Sequence, residues 1–256
     1  MKPPLIVIGS LEKEPSMDYT AGLRNMSVPM GLFKQLSLYY DVEYLDTVGL
    51  NYKECGISKI LGNRRGTVFV IQNDINFRKD VEGIKIIYLH IDDKPSLNAS
   101  DVELAYYIYW APGCEAYKIN ENQEIIQPFC FIDYFNPDRE KDILLSNIPR
   151  DVPFEEYKDL MERSKFTIIN AYNWLSKRTL EAIACKTIPI VVTGTPEMYR
   201  HFGLKDNWIS LLSSPDMNQD QYDRDASYKW LKNNHTAKIR VEQMKRGIDN
   251  IMNGNT

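Results

Sequence analysis

Residues Ser164–Val192 read SKFTIINAYNWLSKRTLEAIACKTIPIVV, and this stretch decides the fold. Lys165–Ala171 is β-rich and mostly apolar. Leu175–Cys185 holds helix formers with no Gly or Pro, and Thr187–Val192 is a second buried-type strand with Pro189 near its start. Strand, loop, helix and strand within roughly thirty residues make one βαβ unit. A parallel pair joined this way opens a crevice at the carboxyl end of its first strand, where α/β folds hold ligands. Polar residues collect there: Asn173, Ser176, Lys177 and Arg178 on the loop and first helical turn, with Glu181 one turn further on. A helix N-terminus beside a cation suits phosphate oxygens, and a carboxylate one turn deeper suits a sugar diol.

Upstream, Pro153–Arg163 is an amphipathic helix with Tyr157, Leu160 and Met161 inward. The first half of the chain repeats the α/β grammar. Leu5–Gly9 is a short buried strand, Met30–Tyr40 a helix and Val42–Asp46 a second strand, and Thr67–Gln72, Ile84–His90 and Tyr106–Trp110 are further strands. Polar residues just past such strands share one carboxyl edge, which makes His90 and Asp92 candidates for work on a sugar hydroxyl or a proton. The Tyr106–Trp110 aromatics read first as core. Downstream, Asp216–Asp225 reads as a polar loop, Asn233–His235 as a mobile connection, and Ala237–Met252 as a helix with Ile239, Met244, Ile248 and Ile251 inward.

With 256 residues, 43% of them hydrophobic and 26% charged, the chain is long enough for one large or two small domains of ordinary globular type. A net charge of −4 weighs against avid nonspecific nucleic-acid binding. No run of eighteen apolar residues is present, and the N-terminus lacks a basic-then-apolar secretion signal. Cys55, Cys114, Cys130 and Cys185 are scattered without metal-type spacing, so a reduced, cytoplasmic protein is expected. There is no P-loop and no Gly-x-Ser-x-Gly elbow. Asp223-Arg224-Asp225 matches a short Asp-x-Asp metal pattern, yet it falls in a late polar loop rather than after a strand, and no metal is expected.

The run Glu181-Ala182-Ile183-Ala184-Cys185, followed by Ile188-Pro189-Ile190-Val191, resembles the nucleotide-sugar-binding half of GT-B glycosyltransferases. Pro128, Ile132, Asp133, Phe135 and Pro137 are similar to the interdomain linker of that superfamily. The resemblance implies an α/β fold of two Rossmann-like halves facing across a cleft, with the second half reduced. An acceptor-side domain of residues 1–135 and a nucleotide-sugar-binding domain of 136–256 follow from it. It also implies sugar transfer from a nucleoside diphosphate sugar, without metal or other cofactor, to a glycan, a lipid or a hydroxymethylated DNA base. Glu181 takes the ribose-gripping role of the second family glutamate, while Asn173 stands where the first glutamate is usual. Ser176, Lys177 and Arg178 fall to the diphosphate, His90 or Asp92 to the transferred sugar, and Gly22 and Arg24 to a loop closing near the diphosphate. Lys186 stands in place of the usual Gly, so an ordinary helix end is expected there. The last helix is expected to pack back across the first half. Binding without turnover on a degenerate scaffold is the alternative, and nucleotide-sugar epimerisation a third.

Overall fold

The computed structural model describes residues 1–9, 32–46, 56–72, 79–90, 102–108, 123–149, 152–169, 175–191, 196–213 and 215–254. Two parallel sheets organise them. The first holds β1 (Pro4–Gly9), β2 (Asp41–Asp46), β3 (Gly66–Gln72), β4 (Ile84–His90), β5 (Leu104–Ile108) and β6 (Gln123–Ile126), in the order β2-β1-β3-β4-β5-β6. Helical residues 32–36 (α1) and the one-turn α2 (Ser58–Leu61) lie between the early strands. The order reverses at β1, which has β2 on one side and β3 on the other, so ligand space is expected beyond the β1 and β3 carboxyl ends.

Strict alternation assigns the side chains of this sheet to two cores. Leu5, Val7, Phe69, Ile71, Ile87, Leu89 and Tyr106 face one layer, with Leu32 and Leu36 of α1. Ile6, Ile8, Val68, Val70, Ile86 and Tyr88 face the other, with Ile57 and Leu61 of α2. The first layer is completed by the last helix, α7 (Ala237–Asn253), through Val241, Met244, Ile248 and Ile251. Tyr106 donates its hydroxyl proton to the Met244 carbonyl at 2.8 Å, and Lys85 donates to the Ile251 carbonyl at 2.6 Å. At Gly247 an added Cβ would stand 2.2 Å from the Tyr106 hydroxyl, so the helix reaches the sheet only because that side chain is absent. The last helix therefore packs on the first half, as the resemblance implies. The β5 aromatics Tyr106 and Tyr107 are core.

The second sheet holds β7 (Ile143–Ser146), β8 (Ser164–Ile169), β9 (Ile188–Val191) and β10 (Ser210–Leu211) in unbroken order. Its helices are α3 (Phe154–Arg163), α4 (Lys177–Ala184), α5 (Pro196–His201) and α6 (Arg224–Asn234). Tyr157 and Met161 of α3, Leu180 and Ile183 of α4, Tyr199 of α5 and Leu231 of α6 share one core. Among the described residues the opposite face buries the apolar side chains of Phe166, Ile188 and Ile190, under Met217 and Tyr222. The reading of Ser164–Val192 holds: β8, α4 and β9 are its strand, helix and strand, with Phe166 opposite Ile188 and Ile169 opposite Val191.

The end of α4 differs from expectation. Lys186 has a φ of 53°, in the left-handed region. Thr187 N–H donates to the Ala182 carbonyl at 2.9 Å and Lys186 N–H to that of Ile183 at 3.0 Å, the paired bonds of a Schellman cap. A lysine accepts the backbone cost because its ammonium reaches Asp138 at 3.2 Å and Asp225 at 2.8 Å. Asn233–His235 also departs from the mobile connection read in sequence. His235 is buried, and its Nδ1 lies 2.8 Å from the Pro128 carbonyl, which as a pure acceptor requires the proton on that nitrogen. Cys130 N–H donates to the His235 carbonyl, Ala237 N–H to the Cys130 carbonyl, and Arg240 Nε to the Gln127 carbonyl at 2.9 Å. The two chain crossings between the sheets are thus stitched together along Gln127–Cys130 and Asn234–Arg240.

Candidate functional site

The site forms where α4 begins. Ser176 precedes the helix in extended conformation, and its Oγ accepts from Thr179 N–H at 3.2 Å, satisfying one of the orphan amides of the first turn. Helical periodicity then sets Lys177 and Glu181 on one face, four residues apart, with Nζ 3.5 Å from Oε1. Glu181 is 5% exposed. Its second oxygen, Oε2, accepts from the Tyr157 hydroxyl of α3 at 2.6 Å.

Tyr157 is fully buried. Burial first, and the Glu181 carboxylate second, push its phenol well above the usual tyrosine range, so it stays protonated and donates. The Cys130 thiol on the linker is pushed up chiefly by burial, with Glu181 raising it further and Lys177 opposing. The α4 carboxylate therefore lies within electrostatic reach of the segment that joins the two sheets.

Arg178 turns away from this pair. It donates to the carbonyls of Ile148 at 3.2 Å and Pro149 at 3.1 Å, just past the β7 end, and its guanidinium carbon lies 5.5 Å from the centre of the Tyr157 ring. It braces the loop after β7 against α3 and α4. Removing Lys177 and Arg178 together would cost stability as well as charge.

Among the expected site residues, the structure brings together Ser176, Lys177 and Glu181, with Arg178 on the same helical turn but bonded to the loop after β7. His90 ends β4 at the carboxyl edge, in register with Gln72 and Tyr107. Gly22, Arg24, Asp92 and Asn173 lie outside the described residues. Asp223 caps α6 by accepting from Ala226 N–H at 2.9 Å, and Asp225 pairs with Lys186. Among the described residues no group of three or more His, Cys, Asp or Glu could hold a metal ion. Sequence reading missed Tyr157 as a site residue: it registered only as an inward position of an amphipathic helix, because nothing local ties it to a glutamate 24 residues away.

No protein-family model matches the sequence, and no curated protein is significantly similar to it. Among solved structures, the fold is similar to that of AviGT4, a glycosyltransferase involved in Avilamycin A biosynthesis. The TM-score is 0.63 at 10% identity, over 98% of this chain and 98% of that one. The GtfA/B complex matches with a TM-score of 0.42 at 10% identity, over 74% of this chain and 58% of that one. An alpha1,3-fucosyltransferase matches at 0.39 and 12% identity, over 99% and 82%. These two carry none of the argument. The chain has a GT-B-type fold of two Rossmann-like halves, with parallel sheets of six and four strands among the described residues. At 10% identity the likeness establishes the fold alone.

Proposed function

We propose that this protein transfers a sugar from a nucleoside diphosphate sugar to an acceptor, a glycan, a lipid or a modified DNA base. The observation that carries the reading is the Lys177–Glu181–Tyr157 cluster at the N-terminus of α4, in the second half of a GT-B fold. A carboxylate held in place by a buried phenol through one oxygen keeps the other for ribose hydroxyls. An ammonium and the amides of the first helical turn, one turn away, complement a diphosphate. In this reading Glu181 holds the ribose and Lys177 the diphosphate. Ser176 orders the α4 amides toward the same group, and Arg178 secures the loop beside it. His90 and Asp92 work at the transferred sugar, Asn173 contacts the donor, and Gly22 and Arg24 close over the diphosphate. The leaving charge is offset by Lys177 and the helix end rather than by a metal. The full-length match to AviGT4 supports the same class of reaction for a chain of this size.

A cytoplasmic setting is proposed on two buried, unpaired thiols, Cys130 and Cys185. Among the described residues no helix is long and apolar enough to cross a membrane. The division into an acceptor side, residues 1–135, and a donor side, 136–256, is proposed with α7 returning to the first sheet. The second reading, binding without turnover, is favoured by the structural engagement of Ser176 and Arg178.

The test is a thermal-shift panel of UDP-, GDP-, ADP-, dTDP- and CMP-linked sugars, with and without Mn²⁺. Saturation to about a hundred times Kd stabilises by ~2.7 kcal/mol. A shift with one nucleotide family, without need of Mn²⁺, is expected. No shift with any member refutes the reading. Release of nucleoside diphosphate with a glycan, a lipid or hydroxymethylated duplex DNA then identifies the acceptor class and separates transfer from binding alone.

A further inference from the structure

The Glu181 carboxylate is not open to a ribose as it stands. Oε2 is occupied by the Tyr157 hydroxyl at 2.6 Å, and Oε1 faces Lys177 Nζ at 3.5 Å; the glutamate side chain is only 7% exposed. Its two neighbours differ in kind. Tyr157 is fully buried on α3, and its hydrogen bond is short, so it cannot retreat without stranding a phenol in the core. Lys177 sits on the first turn of α4, its side chain is 17% exposed, and its distance is long against the 2.7–2.9 Å usual for a charge-assisted bond. It is a loose partner on a flexible four-carbon stem.

We infer that Lys177 acts as a gate on Glu181, making the ribose-binding carboxylate available only to a ligand that carries phosphate. The inference rests on the donor site proposed above. A diphosphate at the α4 N-terminus presents more negative charge and more acceptor oxygens than one carboxylate, and draws the ammonium off Oε1. The freed Oε1 then accepts from the ribose diol, while Tyr157 keeps the carboxylate in place through Oε2. A nucleoside without phosphate meets the closed pair and must break it unaided. Phosphate and ribose recognition are thereby coupled through one side chain, and the site discriminates against free nucleosides. Tyr157 is a positioning residue in this scheme, because it acts only through Glu181.

The experiment is calorimetric titration of wild type, Lys177→Met and Lys177→Gln with UDP, GDP, ADP and dTDP and with their parent nucleosides. Wild type is expected to bind one diphosphate at least 100-fold more tightly than its nucleoside. Both variants are expected to close that gap from two sides. Diphosphate affinity falls at least tenfold, while nucleoside affinity rises three- to tenfold because Oε1 is no longer covered. A lysine that merely touched phosphate would lower the first and leave the second unchanged. Unchanged or weaker nucleoside binding in both variants, with diphosphate binding intact in wild type, overturns the gate and leaves the donor site standing. Absence of diphosphate binding in wild type overturns both.

Discussion

Replacing Glu181 with Ala should destabilise the protein before any ligand is considered. The Tyr157 hydroxyl, in a residue with no exposed surface, loses its acceptor at 2.6 Å, and a stranded buried polar group costs ~1–3 kcal/mol. The cavity left by the shortened side chain adds ~1 kcal/mol. At 3.5 Å the Lys177 ion pair is long and adds little to the sum. The sum is ~2–4 kcal/mol; at ~2–4 °C per kcal/mol for a chain of this length, Tm falls by roughly 4–16 °C. Glu181→Gln retains an acceptor for Tyr157 and should cost no more than ~1 kcal/mol, while removing the charge. Chemical and thermal unfolding of both variants, with Tyr157→Phe and the Tyr157→Phe/Glu181→Ala pair, completes a double-mutant cycle. A coupling of ~0.5–3 kcal/mol is expected between groups in direct contact. Glu181→Ala as stable as wild type, or strict additivity with Tyr157→Phe, would refute the buried hydrogen bond and with it the reason for treating Glu181 as preorganised. Glu181→Gln is consequently the variant in which a lost nucleotide response reports on the carboxylate rather than on the fold.

Two further outcomes follow from the first half and its hinge. Burial depresses His235 from 6.5 to about 4, with the Pro128 carbonyl opposing and Arg240 assisting. Because the folded value is the lower one, the contribution is complete above pH 6.5 and is lost as pH falls from 6.5 toward 4. It amounts to up to ~3 kcal/mol, and His235→Gln should flatten unfolding free energy measured across that window. An equal slope in the variant would show that another group titrates there. Gly247→Ala gains up to ~1 kcal/mol of helix propensity. Its Cβ, however, would stand 2.2 Å from the Tyr106 hydroxyl and 2.7 Å from Leu104 Cδ2, against overpacking costs of ~1–3 kcal/mol, so unfolding should show net destabilisation. A stabilised Ala variant would mean that α7 does not lie this close to β5.

The parts legible in the sequence are those whose causes are local. The β8–α4–β9 unit was readable because period, length and turn residues agree within one short window, and Ser176 announces its helix by a capping bond to a residue three positions on. Glu181 and Lys177 were placed together by helix periodicity alone. The rest depends on separations that periodicity cannot span. Four-residue β6 and β7 do not register in the sequence, since strands that short carry too few alternating positions. That Arg178 reaches the carbonyls of residues 148 and 149 cannot be read from its own neighbourhood. Lys186 looked like an ordinary helix end because the Asp138 and Asp225 carboxylates that hold it in the left-handed region come from 48 positions before it and, after it, from the start of α6.

The strand orders of the two sheets explain why the candidate donor site depends so heavily on one helix. In the first sheet the order reverses at β1, the kind of switch point beyond whose strand ends α/β sheets hold ligands. In the second sheet β7, β8, β9 and β10 follow one another without reversal, and α3, α4, α5 and α6 contribute to one core on one face. Right-handed crossovers that step the same way put α3, α4 and α5 on that side, and among the described strands of this sheet the order has no switch point. What this half offers instead is the N-terminus of α4, with its capped first turn, the Lys177 ammonium, and the Glu181 carboxylate fixed by Tyr157 of the preceding helix. In the proposed donor site, the helix before the βαβ unit supplies the group that holds the carboxylate still. On that proposal the buried phenol of Tyr157 serves the site as well as filling the core.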